Sequence, residues 1–172
     1  MPPPDRHIVS ALDAHLSWVK SKGRLGSKAS LAEIDLSRTE LNAVNLSMAD
    51  LRSANLMLSN LTNANLMGAD LRNADLSGAR LQNANLGVGK LRHARLKVCH
   101  LDGANLRGAD LSGANFSGAN FGEADLTGAI LLETRLYNAD LSETKGLNQR
   151  QLAQAWVNEE TLLPPGLSRP TK

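Results

Sequence analysis

The sequence predicts an all-β solenoid, in which short extended pieces wind into stacked coils. From Leu31 to Leu141 every fifth residue is apolar without a miss: 23 positions, of which 21 are Leu and two, Phe116 and Phe121, are Phe. The residue two before each is Ala in 16 cases, and the exceptions (Ile34, Thr39, Val44, Ser59, Gly89, Cys99, Thr134) are mostly small as well. The residue just before is Asp or Asn in 15 cases. A period of five matches neither a helix face, which recurs at 3.6 residues, nor a strand face, which recurs at 2.0. A small and a large inward residue two apart do share one face of a short extended piece, after which the chain bends. Such pieces cannot bury that face alone, so they coil and stack on their neighbours.

The repeat units have a recognisable spelling. Ala-Asp-Leu-Arg-Asn (69–73), Ala-Asn-Leu-Arg-Gly (104–108) and Ala-Asp-Leu-Ser-Gly (109–113) resemble the pentapeptide-repeat consensus. The resemblance implies a right-handed quadrilateral parallel β-helix with four pentapeptides, hence 20 residues, in each coil. The repeats would then make roughly six coils and a rod roughly 27 Å long at one strand spacing per coil. The predicted organisation is a capping helix and basic linker at 1–28, the β-helix at 29–145, and a capping helix and tail at 146–172.

Residues 5–22 read as an amphipathic helix covering the open first coil. Ile8, Leu12, Leu16 and Val19 supply the apolar stripe, Asp5 the N-cap and Gly23 the stop. His15 and Trp18 lie on one side of it, His15 as a hydrogen-bonded contact between helix and coil. The linker that follows carries Lys20, Lys22, Arg24 and Lys28 without an acid, and is read as a solvated connection.

Residues 20 apart should lie above one another within the coils. Asn45, Asn65, Asn85 and Asn105 would then form an amide ladder. Arg52, Arg72 and Arg92 would stack, the first two neutralised by Asp50 and Asp70. Between residues 80 and 107 the Asp/Asn position carries Arg80, Lys90, Arg95 and His100 instead, joined by Arg92, Lys97 and Arg107. This basic belt is the candidate interaction surface. The end at 123–143 is acidic, with Glu123, Asp125, Glu133, Asp140 and Glu143 against Arg135. Gly89 in the small inward slot predicts a void or a local bulge. Gly-Val-Gly-Lys (87–90) lacks the spacing of a phosphate loop.

After Leu141 the register ends. Asn148 to Gln151 reads as a capping-box helix start, with Leu152, Ala155 and Trp156 as its apolar stripe. Gly-Leu-Asn-Gln-Arg-Gln-Leu-Ala-Gln-Ala (146–155) with Leu-Pro-Pro-Gly-Leu (163–167) is similar to a C-terminal module of bacterial pentapeptide-repeat proteins, which implies a cap on the last coil. Leu152 and Trp156 are cap contacts in that reading, or the contact of a homodimer formed through the C-terminal segment.

Composition narrows the function. The chain has 172 residues, 19 basic against 17 acidic, 3% aromatic residues and one cysteine. Cys99, in the small inward column, reads as a buried core residue. No apolar run reaches the length of a membrane span. The start, Met-Pro-Pro-Pro-Asp-Arg-His, lacks the basic and apolar regions of a secretory signal, which predicts a cytoplasmic protein. No catalytic set, metal-ligand spacing or cofactor motif stands out, so the chain is read as a non-enzyme with no cofactor. The leading expectation is a rigid structural and interaction module docking an unidentified protein partner, most plausibly through the belt. A second is a DNA-mimicking, gyrase-binding protein of the quinolone-protection type, as the resemblance suggests. The pI near 8.9, the Leu-dominated columns and the uninterrupted register count against it. A third, direct nucleic-acid binding through the belt, lacks aromatic residues beside the charge.

Overall fold

The computed structural model describes residues 6–170. From residue 30 onward a parallel β-bridge recurs every five residues, each pairing a residue with the one 20 further on, from Ser30 with Asp50 to Asp125 with Lys145. Four bends therefore close one coil, and residues 20 apart stack. The bridging residues form four columns, one per face. Face I holds Ser30, Asp50, Asp70, Lys90, Asp110 and Ile130; face II holds Asp35, Asn55, Asp75, Arg95, Asn115 and Arg135. Face III holds Glu40, Asn60, Arg80, His100, Asn120 and Asp140; face IV holds Asn45, Asn65, Asn85, Asn105, Asp125 and Lys145.

The spelling of the repeat follows from where its five N–H groups go. In the first repeat the Leu31 N–H donates to the Asp50 carbonyl, and the Glu33 N–H to the Arg52 carbonyl, both in the next coil. The Asp50 N–H points the other way, to Ala29. The Ile34 N–H closes a turn onto the Leu31 carbonyl, with positive φ at the third residue of that turn, Glu33 (φ 63), as a type II turn requires. The fifth N–H, two residues after the bridging position, has no backbone partner. Every Asp and Asn at that position accepts it in an Asx turn. Where the residue before the Leu is Asp or Asn, it thus satisfies the one donor the ladder leaves over.

Inside, the Leu column and the Ala column are almost wholly buried, with Leu101 and Ala94 at 0% exposure. Phe116 and Phe121 meet on adjacent faces with ring centroids 5.2 Å apart. Gly89 leaves no void and no bulge, contrary to the expectation. Its turn bond to Leu86 and its neighbours' register are intact, and the Leu91 side chain lies 3.2 Å from where a Cβ would sit. At the corners, a side chain leans over the corner of the following coil. His93 covers Gly113 and Leu58 covers Gly78, where an added Cβ would lie 2.5 Å and 2.6 Å from them. At one corner Gly122 (φ 44), not Glu123, takes the positive φ, and the Glu123 N–H turns down to the Asp102 carboxylate.

Helix α1 spans Arg6–Lys20; the predicted cap, Asp5, lies outside the described residues. Lys22 (φ 55) and Gly23 (φ 86) end it in the left-handed region, with the Gly23 N–H on the Trp18 carbonyl. Its packed face is Ile8, Ala11, Leu12 and the buried His15. This corrects the predicted stripe, because Leu16 faces solvent at 40% exposure. The face turned when the chain used His15 to meet the first coil. Its Nδ1 accepts the Ala29 N–H at 3.0 Å, and its ring stacks on Trp18.

Helix α2 is a single turn, Gln149–Leu152, opened by the predicted capping box of Asn148 and Gln151. The buried Gln151 Nε2 then donates to the Ala129 carbonyl, which the ladder leaves unpaired there, and to the Leu126 carbonyl, which also accepts the Ala129 N–H of its turn. Beyond Leu152 the chain returns to the rod. Trp156 bridges Arg135 and Leu162 bridges Asp140, so the tail lays further rungs on faces II and III. The predicted helical stripe through Ala155 and Trp156 is therefore corrected: the backbone pairs with the preceding coil.

Candidate functional site

The belt residues project from all four faces of adjoining coils and form a girdle. Lys90 and Arg92 lie on face I, Arg95 and Lys97 on face II, Arg80 and His100 on face III, and Arg107 beside Asn105 on face IV. Residues just before and just after each Leu share a face, as the two-pronged pairs Arg52–Asp50 and Arg72–Asp70 show. These arginines hold both carboxyls below the usual carboxylate range, and the lower Arg ladder is neutralised as expected.

Coil-to-coil neighbours compensate part of the belt, which the linear sequence conceals. Arg92, deprived of an aspartate in its own repeat by Lys90, reaches Asp110 at 3.9 Å. Arg95 pairs with Asp75 at 3.3 Å and Arg107 with Asp125 at 2.9 Å. Thr127 and then Arg107 pull the Asp125 carboxyl down to about 2. Arg80, Lys90, Lys97 and His100 have no ion pair among the described residues, and Arg80, Lys90, Lys97 and His100 are all exposed. The predicted amide ladder is discontinuous: Asn105 donates to Asn85 at 3.0 Å and Asn65 to Asn45 at 3.5 Å.

The acidic end separates by face. Asp140 belongs to face III, with Glu143 and Asp102 beside it around an open groove of about 470 Å³, whereas Glu123 pairs with Lys145 at 2.7 Å. Face II keeps its positive charge to the end of the rod, through Arg135. Sequence reasoning missed that Arg135, Tyr137 and Trp156 share this face with Arg95 and Lys97. The signal available was the 40-residue offset between Arg95 and Arg135, two full coils. Leu152 is fully buried and Trp156 is 42% exposed, so of the two only Trp156 presents its side chain outward. Burial pushes the Cys99 thiol far above its ordinary value, as befits a core residue.

A four-faced rod built on a five-residue repeat, its interior closed by Leu and Ala, defines a β-helical repeat protein whose outward chemistry lies on its faces. The family model for pentapeptide repeats matches at residues 27–56, 59–87, 90–128 and 119–145, in 8 copies. The chain belongs to the pentapeptide repeat family, whose members are right-handed β-helix solenoids and are generally structural or interaction modules. A search of curated proteins finds no match.

Among solved structures, the chain is similar to a pentapeptide repeat protein from the cyanobacterium Cyanothece 51142, with 34% identity, 55% of this chain and 63% of that one covered, and a TM-score of 0.46. It is also similar to one from the Arabidopsis thaliana thylakoid lumen, with 29% identity, 61% and 66% covered, and a TM-score of 0.34. The chain thus spans less than two thirds of the length of these two relatives. A third likeness, in fold alone, is to QnrB1, a plasmid-mediated fluoroquinolone resistance protein, with 17% identity, 80% and 79% covered, and a TM-score of 0.53. Among the described residues no helix is long and apolar enough to cross a membrane.

Proposed function

We propose that the chain is a non-enzymatic, cytoplasmic interaction module that presents rigid β-helix faces to a protein partner through its basic belt. The observation that carries this reading is the girdle itself. Exposed cations interrupt a repeat that elsewhere mostly places an Asp or Asn in the same slot, on a backbone bridged at every fifth residue. A surface held this rigidly gives up little conformational freedom on docking. In this reading the rod of roughly six coils is the presenting element. The segments at 1–28 and 146–172 close its two ends, since an open coil would expose apolar side chains and unpaired strand edges.

The test is co-purification from the native host with the wild type and with Arg92→Glu, Arg95→Glu, Lys97→Glu combined, the variant first shown to be folded by circular dichroism. A specific partner lost with the variant supports the belt. A partner held equally by both moves the docking surface elsewhere, and no reproducible partner in either sinks the module reading. Gyrase as the partner would favour topoisomerase binding of the quinolone-protection type. The net charge of +2 gives that alternative no support in itself.

A further inference from the structure

The belt residues do more than add charge. Wherever Asp or Asn is replaced in the bridging slot, the Asx acceptor disappears with it. The N–H groups of Gln82, Arg92, Lys97, Asp102, Leu132 and Tyr137 follow Arg80, Lys90, Arg95, His100, Ile130 and Arg135, and none has an acceptor among the described residues. A cation and an unpaired backbone donor two residues apart are the pair of groups that a carboxylate accepts from.

The faces differ in how they could use such donors. On face I, Lys90 is stacked between Asp70 and Asp110. On face III, Asp102, Asp140 and Glu143 line a groove with His100, which is bridged to Arg80. On face II, no acid bridges between Arg95 and Arg135. Its nearest acids lie at the margins: Asp75 below, at 3.3 Å from Arg95, and Glu133 at the corner before Arg135. The coil between the two arginines is low. Asn115 and Ser117 are half-buried, and the Ser117 hydroxyl donates to the Asn115 side chain at 2.7 Å. Arg95 and Lys97 stand on one side of this floor and Arg135 and Tyr137 on the other, all exposed. Two coil spacings separate the walls, about 9.5 Å, the width of an extended chain with its side chains. Tyr137, at 37% exposure, and Trp156, at 42% and bridged to Arg135, give the upper wall an apolar edge. Arg and Tyr are also side chains over-represented where interfaces hold most strongly.

We propose that this saddle on face II binds an acidic protein segment carrying an apolar anchor. Its carboxylates accept from the Lys97 and Tyr137 N–H groups, in the places the missing Asx oxygens occupy elsewhere, with Arg95 and Arg135 neutralising them. The proposal rests on the reading of the chain as a protein-docking module and narrows it to one face and one partner chemistry.

The double substitution Arg95→Asn, Arg135→Asn tests it without endangering the fold, because it restores the repeat's own spelling and caps both donors internally. The probe is a synthetic peptide of alternating glutamate and leucine. Its glutamine counterpart and an oligothymidylate serve as comparisons. The wild type is expected to bind the glutamate peptide at least about tenfold more tightly than the double variant does, the loss of one or more charge-assisted hydrogen bonds. The Lys97 and Tyr137 amide resonances are expected to shift downfield in ¹⁵N spectra, and Arg95→Lys with Arg135→Lys to retain binding. Equal affinity for wild type and double variant overturns the proposal, as do unmoved Lys97 and Tyr137 amides. Oligothymidylate binding tighter than the peptide at the same amides overturns it in favour of nucleic acid. If the host partner is lost with Arg80→Glu, Lys90→Glu but kept by the double asparagine variant, the belt reading survives and this one falls.

Discussion

At the scale of the residue, the repeat is a solution to satisfying donors as much as to filling space. Leu and Ala fill the interior, and Asp or Asn takes the N–H that neither the turn nor the ladder can use. The inward positions were fully legible in the sequence, since a five-residue period with no miss leaves one assignment. The reason for the Asp/Asn slot was not, because an Asx turn is a matter of geometry two residues away. The same holds for the corner glycines: His93 explains Gly113 only once the coil length is known. A central inward residue should behave as a packed core residue. Truncating Leu101 to Ala is expected to cost about 2–5 kcal/mol, read as a lower denaturant midpoint with little change in slope. A cost near zero would mean the columns are far less tightly packed than their burial shows.

At the scale of the element, α1 is held by one unusual contact. A helix stripe drawn from Ile8, Leu12, Leu16 and Val19 places the helix but misses its rotation, because periodicity weighs apolar side chains and cannot weigh a histidine serving as a backbone acceptor. His15 can accept the Ala29 N–H only while Nδ1 is deprotonated. Its Nε2 is buried without a hydrogen-bond partner. Desolvation lowers its folded pKa below the ordinary 6.5, opposed in part by the Ser47 backbone, while the Lys28 charge lowers it further. As the pH falls, the unfolded helix therefore takes up the proton first. The docking of α1 is at full strength above the ordinary value and weakens as the pH drops below it toward the folded value. Fluorescence of Trp18, followed in a Trp156→Phe background, is expected to change between about pH 7.5 and 5, and His15→Gln to flatten that change. A wild-type trace that is already flat would show the contact does not hold the helix. At the other end, the capping box of α2 could be read from Asn148 and Gln151. The return of Trp156 and Leu162 to the rod could not, because their register slips past the spacing of 20 to accommodate the helical turn.

At the scale of the whole molecule, the sequence resolves charge along the rod and the structure resolves it around the rod. A basic middle and an acidic end describe the length. The faces add that Asp140 and Glu143 stand on one side while Arg95, Lys97 and Arg135 share another, a division that appears only when residues are grouped by coil. Deleting residues 111–115 should expose this dependence. Every fifth inward residue is kept, but the part of the rod above turns by one face. Asp140 then arrives above Arg95 in place of Arg135. The deletion variant is expected to keep its circular dichroism spectrum and to bind the acidic peptide no better than Arg95→Asn, Arg135→Asn does. Retained affinity would show that the pairing of the two arginines is immaterial.

A residue number in this chain is in effect a cylindrical coordinate. With a 20-residue pitch, the remainder on division by the pitch gives the azimuth and the quotient gives the height. Point substitutions change the chemistry at one coordinate, whereas gain or loss of a single pentapeptide acts as a dial, sliding every marking above it a quarter of the way round. New combinations of surface markings are thus reachable in one step while the interior stays as it was.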